Sequence, residues 1–330
     1  MFRRLASWFL LKAGLAFILC LLLGMPAVAQ IQSADLSGRV TTPEGAPIPS
    51  ARIVAVNVST GDPIYGQTNR NGVYLLTGMA AGEYRITVQK FGFKVSTRTN
   101  VQLHMQSQVS ENFRLELGYS NETVSSRSTS WSAETSPTSK SILGHNFPED
   151  FPLNGRSFEP LFWLVSGYVS AATYFTSPGQ SSFNGRRTTE NYITVDGASV
   201  LLGTAQGNDI TLGEGAGESL PALTTLGSTS GIVSLDEIQE FTIQSNAYSP
   251  RFGHLPGAQV SILTRTGSNT LHGTVFAYFR NQYLDAKDWF AGHEDLPKAV
   301  ETQNDFGINM SGPLWRDRVF GFGSYEGIRL

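Results

Sequence analysis

Arg186 and Arg187 directly follow Asn184-Gly185. Two guanidiniums beside a tight turn offer the forked donors that grip a carboxylate or another anion, and they would equally serve a purely structural role at the turn. Other chemistry is missing. His104, His145, His254, His272 and His293 are scattered, without an H-E-x-x-H pair or a Glu three residues after any of them, so no metal site is predicted. Gly227-Ser228-Thr229-Ser230-Gly231 has Thr where a nucleophile elbow needs Ser, and Gly213-Glu214-Gly215-Ala216-Gly217-Glu218 lacks the third glycine of a dinucleotide loop. No phosphate-cradling G-x-x-x-x-G-K is present, and the one cysteine is Cys20. These residues predict no catalytic group and no cofactor, so the chain is not expected to be an enzyme.

The chain has 330 residues, 34 of them Gly and 15% charged, against roughly 25% charged in an average soluble domain. That length allows two or three compact units. A formal charge of −3 argues against nucleic acid as a partner. Arg3, Arg4 and Lys12 precede an apolar stretch from Ala13 to Leu23, and Ala27-Val28-Ala29 supplies the small residues a signal peptidase requires. The pattern predicts a signal peptide over 1–29, with Cys20 leaving in it. The mature chain then holds 21 Lys+Arg against 27 Asp+Glu, a formal −6.

Short β-rich runs alternate with turn signals from Leu36 to Leu117, the rhythm of an antiparallel sandwich, here assigned 30–117. Arg52 to Val58 and Glu83 to Val88 carry their branched and aromatic residues in rows, and Asn71-Gly72 suits a type I′ hairpin turn. Between Ser120 and Ser141, 13 of 22 residues are Ser or Thr, too little apolar surface to offset the entropy of ordering a backbone. A linker over 118–146 is expected. An α+β unit follows over 147–267. In it Leu161-Phe162-Trp163-Leu164-Val165, with Pro160 before it and Ser166-Gly167 after, suggests a short buried helix, and strands are expected at Tyr192 to Val195, Ile238 to Gln244 and Ala258 to Thr264. The stretch from Ala198 to Gly231 holds seven glycines and reads either as a ligand-sampling loop or as a tolerated insertion.

From Leu271 to Asn281 the side chains alternate, with Leu271, Gly273, Val275, Ala277 and Phe279 on one face and His272, Thr274, Phe276, Tyr278 and Arg280 on the other. Those eleven residues match a tilted transmembrane strand. Asp305 to Gly312 and Val319 to Gly327 repeat the pattern. The segment 268–330 is therefore expected to begin a barrel that these strands alone cannot close, and the chain to be a truncated piece of one. The predicted class is mainly β.

Three resemblances carry this further. Leu36-Ser37-Gly38-Arg39-Val40, Pro43-Glu44-Gly45, Asn71-Gly72-Val73-Tyr74, Ala81-Gly82-Glu83-Tyr84 and Gly92-Phe93 resemble the carboxypeptidase regulatory-like module, a prealbumin/Ig-like β-sandwich. Pro152-Leu153-Asn154-Gly155-Arg156, Asn184-Gly185-Arg186-Arg187, Val195-Asp196-Gly197, Asp236-Glu237-Ile238-Gln239-Glu240-Phe241 and Tyr248-Ser249-Pro250-Arg251-Phe252-Gly253 resemble the plug of Oar-like TonB-dependent receptors, and Gln303-Asn304-Asp305-Phe306-Gly307 with Ser311-Gly312-Pro313-Leu314 resembles their first barrel strands. Glu122-Thr123-Val124 is similar to a TonB box, the segment that adds as a strand to the energy-transducing partner, although Ser126 stands where an apolar residue is usual.

These resemblances imply a Gram-negative outer-membrane receptor with a periplasmic module. Its partners would be TonB, outer-membrane lipid and an extracellular ligand, whether siderophore, carbohydrate, peptide or protein. Arg186 and Arg187 are the candidate ligand contacts. The alternative is a non-transporting envelope adhesion or carbohydrate-binding scaffold.

Overall fold

The computed structural model describes residues 33–118, 123–127, 133–134, 139–144, 158–170, 181–187, 190–200, 233–248, 255–284, 286–287, 289–295, 297–298 and 302–329. The predicted signal peptide, Glu122 and most of the Gly-rich stretch after Ala198 lie outside them.

Eight strands make the module: β1 (Ala34–Thr41), β2 (Arg52–Asn57), β3 (Pro63–Gln67), β4 (Val73–Met79), β5 (Gly82–Gln89), β6 (Val95–Leu103), β7 (Gln108–Ser110) and β8 (Phe113–Arg114). In β5, Tyr84, Ile86 and Val88 are buried while Arg85 is exposed, as the period-2 pattern requires. They pack with Ile53 and Ala55 of β2 and, from the facing sheet, with Leu36, Val40, Tyr74 and Leu76. Gly38 is demanded by close approach, because a Cβ there would run into the Glu111 carbonyl and the Tyr74 ring.

The module departs from its expected form in three ways. It is mixed rather than antiparallel, since β7 and β8 both join β1 in parallel. Asn71-Gly72 is not a type I′ hairpin: β3 pairs with β2 and β4 with β1, so the chain crosses between sheets there. Only Gly72 takes a positive φ, of 71°, while the Asn69 carboxamide accepts from the N–H groups of Asn71 and Val73, an Asx turn in place of a paired ladder.

The third departure is the Ser/Thr-rich segment, which supplies three edge strands. β9 (Thr123–Arg127) lies parallel to β6, β10 (Ala133–Glu134) antiparallel to β7, and β11 (Ser139–Gly144) antiparallel to β16 (Ile238–Asn246). Composition alone excludes a self-sufficient core, but an edge already built by other strands provides donors and acceptors to any extended backbone.

Five strands form the second sheet, in the order β11-β16-β17-β14-β15, where β14 is Tyr192–Val195, β15 Ala198–Ser199 and β17 Gln259–Thr264. A small hairpin of β12 (Tyr168–Ser170) and β13 (Ser181–Phe183) lies beside it. The predicted helix is a 3-10 turn, Glu159–Leu164, with Pro160 in its first turn. It buries Phe158, Leu161 and Phe162 and leaves Trp163 exposed, because six residues give only one usable face. Phe162 packs on Phe158, Phe183 and Phe241 with ring centroids 6.0, 5.5 and 5.8 Å away.

β18 (His272–Asn281), β19 (Thr302–Trp315) and β20 (Val319–Arg329) make an antiparallel sheet, with a single-turn helix α1 (Trp289–His293) between the first two. The structure agrees here with the alternation in the sequence, and each strand includes the predicted run or all but its first residue.

Candidate functional site

The Thr123-Val124 half of the TonB-box candidate opens β9, in register with Val95 and Ser96 of β6. β9 ends its sheet, so among the described strands its outer edge has no neighbour. An extended edge strand offers its main-chain N–H and C=O groups to another chain, the geometry of strand addition.

Arg186 and Arg187 follow β13 through a tight turn in which Asn184 and Gly185 take φ of 52° and 74° and the Arg186 N–H donates to the Phe183 carbonyl at 3.0 Å. Asn184 is anchored by donating to the Ser245 carbonyl at 3.1 Å. Both arginines are exposed. The turn displays them together. Among the described residues no group of three or more His, Cys, Asp or Glu is placed to hold a metal.

A third arrangement was not legible beforehand. β16 is buried on both faces: Phe241 and Ile243 enter the second core, and Glu240, Thr242 and Gln244 are buried on the opposite side. What covers that polar side is the module loop from His104 to Ser107. Glu240, 5% exposed, accepts from the Met105 N–H at 2.8 Å and the Thr242 hydroxyl at 3.0 Å, and lies 3.4 Å from His104 Nδ1. The Gln106 amide donates to Ser261 of β17 at 3.0 Å and its oxygen accepts from Gln244 at 3.0 Å. Lys140 of β11 donates to the Met105 carbonyl at 2.9 Å. Each buried polar atom named here has a partner, as burial in a low dielectric requires.

A smaller knot ties the module to the last sheet. Asn269 donates to the Thr60 carbonyl at 2.7 Å and to the Asp317 carboxylate at 2.9 Å, and accepts from the Asp317 N–H at 2.9 Å. Inside the module, burial and the Glu111 charge push the Tyr74 phenol far above its ordinary range, and its hydroxyl donates to the Glu111 carbonyl at 2.7 Å.

The last sheet reverses the usual sense of burial. In its middle strand β19, Asp305, Gly307 and Asn309 are buried, and Phe306, Ile308 and Met310 are exposed. Their register partners on β18 extend the outer face: Val275, 78% exposed, faces Ile308, and Ala277 faces Phe306. Tyr325 of β20 continues it opposite Ile308. A contiguous apolar exposed surface of this kind marks a lipid or partner interface. Among the described residues no helix is long and apolar enough to cross a membrane.

Comparison with known proteins matches two parts of the chain. Residues 35–116 match the carboxypeptidase regulatory-like domain, and residues 263–330 match the outer membrane beta barrel domain. The fold is mainly β, with a regulatory-like sandwich and part of an outer-membrane barrel sheet. The chain is similar to the TonB-dependent transporter Oar of Myxococcus xanthus, 25% identical over 341 residues, a match that takes in 95% of this chain. The chain spans 28% of the length of that relative.

Two solved structures are similar over shorter parts. The siderophore receptor PirA from Acinetobacter baumannii is 20% identical over 57% of this chain and 24% of its own, with a TM-score of 0.40. Hydroxyquinol 1,2-dioxygenase from Pseudomonas putida DLL-E4 is 8% identical over 28% of this chain and 59% of its own, with a TM-score of 0.23.

Proposed function

We propose that this chain is the part of an outer-membrane TonB-dependent receptor that holds a periplasmic module (30–117), a TonB-contacting segment (118–146), a plug (147–267) and barrel strands (268–330), and that the receptor binds an extracellular ligand and imports it. The observation that carries the reading is the polarity of β19, whose apolar row faces outward and whose polar row is covered. In water that arrangement exposes what the hydrophobic effect would bury, while against hydrocarbon it is the stable one. Homology to Oar over most of the chain supports the same class.

In this reading a signal peptide over 1–29 directs export through the inner membrane of a Gram-negative cell, and Glu122, Thr123 and Val124 pair with TonB by strand addition. Arg186 and Arg187 contact an anionic part of the ligand, which belongs to the siderophore, carbohydrate, peptide or protein class.

The test combines fractionation with site-directed cross-linking in cells. The chain should be recovered in the outer-membrane fraction, and a V124C variant should form a disulfide with a cysteine-bearing periplasmic domain of TonB. V124P removes a backbone donor and should abolish that cross-link. Outer-membrane recovery with no cross-link at residues 122, 123 or 124 would leave the adhesion scaffold as the better description. Recovery as a soluble periplasmic protein would overturn both.

A further inference from the structure

On one flank of the module, strand pairs from two sheets look into a common cleft. β8 runs parallel to β1 with Arg114 opposite Thr41, and Arg39 stands two residues before Thr41. Alternation therefore puts Arg39, Thr41 and Arg114 on one face. β9 runs parallel to β6 with Ser126 opposite Arg98, and Ser96 stands two residues before Arg98. Ser96, Arg98 and Ser126 share a second face by the same rule. All six line a cavity of about 680 Å3, within the roughly 300–1,000 Å3 of small-molecule sites.

The charges in this cleft are unbalanced. Arg98 is committed: it forms an ion pair with Glu111 and its guanidinium lies over the Phe113 ring, 4.9 Å from the centroid. Arg39 and Arg114 are exposed and make no side-chain hydrogen bond or ion pair among the described residues. Among the described residues no acidic side chain lines the cavity. Two guanidiniums thus face a hydroxyl-lined space, with a third held rigidly at its back. Solvation at the surface alone explains neither the pairing of Arg114 opposite Thr41 on the face of Arg39 nor the lack of a carboxylate between them among the described residues.

We propose that this cleft is a binding site for a small oxyanion, a phosphate or a carboxylate, gripped by Arg39 and Arg114 and hydrogen-bonded by Thr41, Ser96 and Ser126. Planar guanidiniums bind such groups in a bidentate manner and with charge assistance. Because Ser126 belongs to β9, the bound anion also holds that edge strand against β6. The site does not depend on the transport reading, since it uses only the module and β9.

The experiment is calorimetric titration of the whole chain in neutral detergent with inorganic phosphate and, separately, with citrate, against sodium chloride at matched ionic strength. Saturable binding of either above the chloride control is expected, and the better binder identifies the oxyanion class. R39Q/R114Q should weaken it by about tenfold or more, and R39K/R114K, which keeps charge but loses the fork, should fall between. The lysine variant also serves if the glutamine variant does not fold. Amide exchange over residues 123–127 should slow when the anion is present. Binding no better than chloride, or equal affinity in wild type and R39Q/R114Q, would overturn the site.

Discussion

β5 of the module and β19 of the last sheet have the same alternating sequence pattern and opposite fates. In β5, Tyr84, Ile86 and Val88 are buried and Arg85 is in solvent; in β19, Phe306, Ile308 and Met310 are outside and Asp305, Gly307 and Asn309 are covered. Period-2 alternation decides that a segment is a strand with two unlike faces. It does not say which face turns inward, because that depends on the medium the sheet meets.

Exchanging the medium should therefore separate the two strands. I86D puts a carboxylate into the module core and should cost about 4 kcal/mol or more, in detergent and in lipid alike. I308K should cost roughly 2–4 kcal/mol when the sheet is in a bilayer and almost nothing when its outer face is wetted. Denaturant midpoints of both variants, measured in vesicles and in a detergent-free soluble form, give the comparison directly. An I308K variant equally stable in both would mean that β19 faces water.

The second sheet lies between these extremes, since both faces of β16 are buried. E240A leaves the Met105 N–H without its acceptor and should destabilise the junction by about 1–3 kcal/mol, with faster exchange at the Met105 amide as the local readout. Exchange confined to global unfolding in the variant would show that the contact carries no local stability.

The smallest effect concerns pH within the module. The Tyr74 phenol ionises in the unfolded chain near the ordinary value of 10.0 and well above that when folded, because it is buried and faces the Glu111 charge. The native state therefore binds more protons above this pH, so the contribution is complete below about 10 and is lost as pH rises further. Y74F should cost about 0.5–1.5 kcal/mol at neutral pH, through the lost bond to the Glu111 carbonyl, and flatten the alkaline decline. An unchanged alkaline limb in Y74F would remove Tyr74 as its source.

Legibility in the sequence followed how local each cause is. Strands β2, β5, β18, β19 and β20 announce themselves through alternation, and the turn at Asn184-Gly185 through the residue types that tolerate positive φ. Asn71-Gly72 carries the same dipeptide and behaves differently, because its flanking strands belong to separate sheets and an Asx turn serves the crossing. The Ser/Thr-rich segment gives no apolar signal, yet its backbone completes edges that distant strands had built. Of the candidate residues, Thr123 and Val124 sit in such an edge strand, and Arg186 and Arg187 stand exposed after their turn.

By itself the amino-acid order determined that this protein is made of strands, where most of them lie and which residues would share a face. These are properties of neighbours along the chain. Only the tertiary structure decided that Glu240, Thr242 and Gln244 are covered by the loop around Met105, and that Arg39, Arg98 and Arg114 meet across two sheets. Such pairings join residues far apart in sequence, and the energy of burying a polar group depends on the partner that arrives to satisfy it.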